Sequence, residues 1–208
     1  MIKSRCVYSL ILITILFASF KAFGFDNNNL LSKVQEKYNS SKSLTADFIL
    51  SLHKAPNQTA KKTSARGKIY LGEGNKFRVE LEKNLIVCDG KTFWNFKEKE
   101  NKVIINNFDP EEPSSFSIKT ILNEYPKKCT QEEENGVIIL TPKENSGLDF
   151  TKAEIWVKDN NLIEKIRIDY PSYGDFEISL SNYRLNEIIP SSKFTFTPPE
   201  GSKIIDLR

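Results

Sequence analysis

A β-rich domain built on a strongly curved antiparallel sheet is what this sequence predicts, and two observations predict it. Short runs rich in Ile, Val, Phe, Tyr and Thr recur between turn residues, and most of them alternate apolar with polar side chains. About ten or eleven such runs fit into one small domain. So many strands curl into an unclosed barrel rather than lie flat. Two helical stretches stand apart from this pattern and are expected to cover the open side.

The chain opens differently. Lys3 and Arg5 precede an almost wholly apolar stretch from Val7 to Phe20, followed by the small-residue sequence Ala22, Phe23, Gly24. That is the layout of a secretory signal peptide cut after Gly24. The apolar stretch is shorter than the ~20 residues a helix needs to cross a bilayer. Residues 1–24 are therefore expected to be removed, leaving one domain over 25–208. The 30 Lys+Arg then lose Lys3, Arg5 and Lys21, which leaves 27 against 27 Asp+Glu. A neutral chain lacks the basic excess of a nucleic-acid binder. Cys6 leaves with the apolar stretch and is too early to be a lipidation site.

In the remaining chain, residues 27–41 read as a helix. Leu30, Leu31, Val34 and Tyr38 share one stripe, and Asp26 or Asn29 stands where a cap belongs. The period then changes to two. Leu44, Ala46, Phe48, Leu50 and Leu52 alternate with polar neighbours, and residues 55–64 read as a loop. Further alternating runs hold Gly67, Ile69 and Leu71, then Phe77, Val79 and Leu81. Leu85–Cys88 meets Asp89 and Gly90, a type I′ hairpin signal, and Thr92, Trp94 and Phe96 return. Val103–Asn106 is the next strand. A Pro- and acid-containing break follows over 109–115.

Helical spacing returns from Phe116 to Tyr125, with Ile118, Ile121 and Leu122 on one side and Pro126 as the stop. Glu132, Glu133 and Glu134 read as a solvated turn beside Asn135 and Gly136. Strand patterns resume at 137–141, 153–158, 162–169 and 176–183, and Phe194 with Phe196 makes a last short strand.

Chemistry is hard to find in this pattern. His53 is the one histidine and falls on a polar strand face. No metal-ligand spacing, phosphate loop or nucleophile motif is present, so no catalytic residue, metal or cofactor is assigned and an enzyme is not expected. Cys88 and Cys129 remain after processing. They form either one disulfide or two buried thiols, since spacing alone does not give their separation. The apolar strand faces either fill the core or line a cavity.

Particular residues favour the cavity. Leu85 to Trp94 reads LIVCDGKTFW, Leu140 to Lys143 reads LTPK, and Lys193 to Gly201 reads KFTFTPPEG. With Ser43 to Phe48 (SLTADF) and Gly67, these stand in the order found in the LolA family of periplasmic outer-membrane lipoprotein carriers, which the chain resembles along its length. The resemblance implies an unclosed β-barrel with an α-helical lid over an apolar cavity for lipoprotein acyl chains. It also implies a periplasmic monomer that receives cargo from a LolCDE-type ABC transporter of the inner membrane. Delivery is to a LolB-type outer-membrane acceptor where one exists. The alternative is a periplasmic lipid-binding or envelope-stress sensor domain on the same fold.

On that reading the acyl-chain site is expected to use Phe48, Leu50, Phe77, Val79, Leu81, Trp94 and Phe96. The lid would add Phe116, Ile118, Ile121 and Leu122. The inward faces are inferred from alternation. One departure stands out. The family commonly has an Arg in the turn after the second strand that contacts the lid, and here Glu73 occupies that place. Glu cannot supply a guanidinium's donors; either Arg66 or Arg78 compensates, or both are ordinary surface charges.

Overall fold

The computed structural model describes residues 29–53, 63–109, 117–172 and 174–208. The expected signal segment, the expected break at 109–115 apart from Asp109, and the expected loop at 55–64 apart from Thr63 and Ser64, which open a strand, lie outside these residues.

Helix α1 (Leu30–Ser40) starts where the side chain of Asn29 accepts a hydrogen bond from Ser32 N at 2.7 Å. A second cap comes from far away in sequence. The carboxylate of Glu133 accepts from Leu30 N at 3.0 Å and from Leu31 N at 3.1 Å. A carboxylate on free helix N–H groups satisfies donors that have no partner inside the helix. The apolar stripe Leu31, Val34 and Tyr38 is buried. The Tyr38 hydroxyl, with that of Tyr183, closes a hydrogen-bonded ring on the backbone of Ile163. The helix is thereby fixed in rotation against the sheet.

The strands are β1 (Leu44–His53), β2 (Thr63–Leu71), β3 (Lys76–Leu81), β4 (Asn84–Asp89), β5 (Thr92–Lys97) and β6 (Lys102–Asn107). After helices α2 (Ile118–Asn123) and α3 (Tyr125–Lys128) come β7 (Cys129–Glu134), β8 (Val137–Pro142) and β9 (Lys152–Val157). Then follow β10 (Ile163–Tyr170), β11 (Gly174–Leu185) and β12 (Lys203–Asp206). Among the described residues these make one 12-stranded sheet in the order β12-β6-β5-β4-β3-β2-β1-β11-β10-β9-β8-β7. β12 lies parallel to β6, and every other pairing is antiparallel. The two end strands do not pair with each other, so the barrel is unclosed.

Several expectations change. Residues 129–134 form an edge strand instead of a solvated turn, and Asn135 (φ 49°) with Gly136 (φ 79°) provides its hairpin. Positive φ at both central residues is the type I′ requirement. At the expected I′ turn only Gly90 has positive φ, while the Asp89 carboxylate accepts from Lys91 N and Thr92 N at 2.8 Å each. Pro126 does not stop the second helical stretch; it sits in the first turn of α3, where its missing N–H costs nothing. Ser191–Phe194 is a 3₁₀ turn, and the last strand lies later, at 203–206.

The two halves of the concave face differ. Over β8–β10 it is filled by Ile138, Leu140, Ala153, Ile155, Ile166 and Ile168, all fully buried. Tyr125 and Phe150 close over that half, with ring centroids 5.2 Å apart. Over β1–β5 and β11 the face is not filled.

The convex face also carries a small core. Val87, Val103 and Ile105 are buried on the side opposite Phe77, beneath the C-terminal segment. Phe194 is buried there, and Phe196 meets Phe96 at 5.6 Å. Glu80 ties this segment down. It takes Arg78 Nε at 2.6 Å, Lys193 Nζ at 3.1 Å and the Tyr70 hydroxyl at 3.2 Å. Partial burial raises the Glu80 pKa, but the bonds from Arg78 and Lys193 outweigh it and hold the carboxyl below its ordinary value.

Candidate lipid-binding cavity

The unfilled half of the concave face is an apolar cavity of about 340 Å³. Strand register explains its walls. In antiparallel pairing, residues opposite each other share a face. Leu71 opposes Phe77, Ile69 opposes Val79 and Gly67 opposes Leu81. Phe48 in turn opposes Gly67 and Leu180. Apart from Gly67, the five side chains of these pairs, together with Phe48 and Leu180, face the cavity side of the sheet.

Gly67 is required by its neighbours. A Cβ there would lie 2.5 Å from Phe48 Cζ and 2.4 Å from the Glu80 carbonyl oxygen. The missing side chain lets the Phe48 ring lie against the strand. That ring position forms one wall of the cavity.

Of the residues expected at this site, Phe48, Leu50, Phe77, Val79, Leu81 and Ile118 do line the cavity. Trp94 and Phe96 do not. They oppose Val87 and Leu85 on the convex face, and their place inside is taken by Phe93 and Asn95. This is a one-residue error of face on β5. It arises because the C-terminal segment buries the outer face of this strand too, so both faces carry aromatics. Ile121 and Leu122 are fully buried in the core beneath the helices, and only Ser117 and Ile118 of this stretch reach the cavity. Phe116 lies outside the described residues.

Wall residues missing from the expectation include Ile69, Leu71, Ile86, Tyr170, Phe176 and Ile178. The alternation of their strands carries the signal for most of them. Leu52, next along the inner face of β1, is 44% exposed and extends the apolar surface beyond the cavity.

Helix α2 roofs one end. The Ser117 hydroxyl caps it by accepting from Thr120 N at 3.0 Å. Gln35 Nε2 of α1 donates to the Leu122 carbonyl at 2.7 Å and braces it from behind. Its front is held by Lys119, whose ammonium donates to the carbonyls of Gly74 at 2.9 Å and Gly72 at 3.4 Å. Burial pushes the Lys119 pKa below its ordinary value. The cation between lid and turn thus comes from the lid, and Glu73 itself is exposed. Neither arginine replaces the family's Arg: Arg66 is exposed, and Arg78 lies on the convex face, where it also donates to the Lys193 carbonyl at 3.3 Å.

A second, polar cleft of about 290 Å³ adjoins the cavity and shares Leu71, Phe77 and Ser117 with it. Phe77 is buried, packed edge-on against Phe108 at 5.6 Å, and forms the partition between the two spaces.

Cys88 and Cys129 are free buried thiols, which corrects the disulfide alternative. Cys88 lies in β4 and Cys129 opens β7, with β3, β2, β1, β11, β10, β9 and β8 between them in the sheet. Burial pushes both thiols up to about 11, which makes them inert at neutral pH. The His53 Nε2 atom, expected on a solvated face, is buried and unpaired among the described residues. No three His, Cys, Asp or Glu side chains group as metal ligands among the described residues.

The family model described as outer membrane lipoprotein carrier protein LolA matches residues 39–197. An uncharacterized protein of Methanocaldococcus jannaschii is 27% identical over 211 residues, which cover 96% of this chain and 59% of that protein. The chain thus spans about three fifths of that relative's length. An outer-membrane lipoprotein carrier protein of Chromobacterium violaceum is 28% identical over 175 residues, covering 79% of this chain and 82% of its own. Among solved structures, an uncharacterized conserved protein of Thermus thermophilus shares the fold. It has a TM-score of 0.54 and 13% identity over 85% of this chain and 96% of that one.

Proposed function

The chain belongs to the LolA family of outer membrane lipoprotein carrier proteins, and on that premise we propose that it carries lipoproteins by shielding their acyl chains in the cavity under α2. The observation that supports this most is the apolar space of about 340 Å³ left between the β1–β5 face and the helices. A chain that needed only a core would fill it, as the β8–β10 half does.

Exposing acyl chains to water costs about 0.8 kcal/mol per CH₂, so a free lipoprotein crosses an aqueous compartment too rarely to be useful. A cavity lined by Phe, Leu, Ile and Val side chains lowers that cost without fixing the chain by directional bonds. Release then needs only an acceptor whose apolar surface is a better host.

On this reading residues 1–24 direct the chain across the inner membrane and are removed. The domain works in the periplasm as a monomer between a LolCDE-type ABC transporter and a LolB-type acceptor where one exists. An apolar cavity of ~150 Å³ holds one benzene, so the resting cavity seats roughly a dozen chain carbons. A cargo with more than one acyl chain needs α2 to lift.

Spheroplasts loaded with a labelled lipoprotein test the proposal. Added protein should bring the lipoprotein into the soluble fraction as a one-to-one complex. Cargo that stays in the membrane in the presence of folded protein and an active transporter would refute it.

A further inference from the structure

The polar cleft beside the cavity has a feature that the carrier reading leaves unused. Lys119 lines it and forms no ion pair among the described residues. Its ammonium has three N–H donors, and two of them meet the neutral carbonyls of Gly72 and Gly74. Glu124, the one acid among the cleft's described lining residues, is turned to Lys127 Nζ at 2.6 Å. The Asp89 carboxylate, on the neighbouring strand, is occupied by the amides of Lys91 and Thr92. Exposed Lys76 belongs to the same lining. The cleft therefore holds a half-buried cation that has no counter-ion among the described residues, one aromatic ring away from an acyl-sized apolar space.

We propose that this cleft seats the anionic head of an acyl amphiphile whose chain lies in the cavity, with the Lys119 ammonium as its counter-ion. The inference rests on the reading of the cavity as an acyl site. The geometry fits a molecule that is apolar at one end and charged at the other, because the two spaces meet at Leu71, Phe77 and Ser117. A phosphate or carboxylate binds an ammonium more strongly than a neutral carbonyl does. Such a head would complete the third donor and draw Lys119 from the turn. Burial, which lowers the pKa of the unpaired ammonium, strengthens the attraction by lowering the local dielectric. Occupying the cleft would thus loosen the front of the lid that covers the chain.

The test is competition against a bound fluorescent fatty-acyl probe, with lysolipids below their micellar concentration. Palmitoyl lysophosphatidylglycerol and palmitoyl lysophosphatidylcholine share the chain and differ in net head charge. The anionic lipid should compete at about tenfold lower concentration, the size of one charge-assisted contact. In Lys119→Met the two should compete within about twofold of each other, and Lys119→Gln, which keeps a donor without charge, should show the same loss. Glycerol 3-phosphate alone should not displace the probe. Equal competition by the two lysolipids on the wild-type chain, or an unchanged preference in both Lys119 variants, would overturn the head site and leave the cavity reading standing. Displacement by glycerol 3-phosphate would overturn it too, because head and chain would not be bound as one molecule. A folded chain that binds neither the probe nor either lysolipid would overturn the cavity reading itself.

Discussion

Lys119 on the lid helix donates to the Gly74 carbonyl at 2.9 Å, so the contact between lid and sheet rim runs from a lid cation to backbone oxygens of the turn. A side chain in the turn is not needed for it. Glu73 is exposed beside this contact, and its opposite sign does not prevent closure because the acceptors are Gly72 and Gly74.

Lys119→Met should therefore loosen α2 while leaving the sheet intact. The lost bonds are worth about 1–2 kcal/mol between them at a partly buried site. Amide hydrogen exchange across residues 118–123 should speed up by roughly tenfold, with β8–β10 amides unchanged. Unchanged exchange in α2 would show that the helix is held by Gln35 and its apolar face alone.

Gly67→Ala tests the origin of the cavity wall. The new Cβ meets the Phe48 ring and the Glu80 carbonyl at under 3 Å. The ring lines the cavity, so a shift of it changes the cavity's wall, and the backbone oxygen cannot move without disturbing the β2–β3 pairing. A loss of about 1–3 kcal/mol is expected, as for other overpacked sites, together with weaker binding of a fatty-acyl probe. A thermal melt and a probe titration measure the two effects.

Glu80 makes the C-terminal segment pH-dependent. Its folded pKa lies below that of an unfolded Glu, near 4.3. The stability it contributes is present above that unfolded value and is lost as pH falls through the folded one. Glu80→Gln should cost about 1 kcal/mol or less at pH 7, since the site is partly exposed. That corresponds to ~2–4 °C in melting temperature for a chain of this size. The gap between variant and wild type should close as pH drops below about 4. A gap that does not narrow as pH falls below the unfolded value would assign the effect to packing instead of charge.

The thiols give a chemical check. Both are buried and raised to about 11. A thiol alkylating reagent at pH 7.5 should label neither Cys88 nor Cys129 in the native protein and both in denaturant without reductant. Two labels requiring prior reduction would mean a disulfide and a different sheet.

The strands were readable where one face meets solvent. Leu44 to Leu52, Ile69 to Leu71 and Phe77 to Leu81 alternate, and their apolar members point inward as alternation demands. Alternation misassigns the faces of β5 for a physical reason. Phe93, Trp94 and Phe96 sit on both faces because the segment around Phe194 and Phe196 buries the convex side, and alternation cannot rank two apolar faces. β7 carries no readable strand pattern, because an edge strand with Thr130, Gln131 and three glutamates has no apolar face to alternate. Its Glu133 caps α1 across 103 residues of sequence, a contact that no local pattern encodes. Phe77 was legible as a wall, but its second role as partition depends on the polar cleft. Lys119 left no sequence signal, since its acceptors are backbone oxygens.

The central claim is that the space under α2 holds an acyl chain. Val79 lines its wall and is half-buried, so Val79→Trp fills the space from a position the sheet tolerates. Native mass spectrometry with an acylated lipopeptide measures the consequence, alongside a melt of each protein. The wild-type chain should appear as a one-to-one complex, and Val79→Trp should melt like wild type and appear free. A Val79→Trp chain that is folded and loads lipopeptide as fully as wild type would contradict the claim.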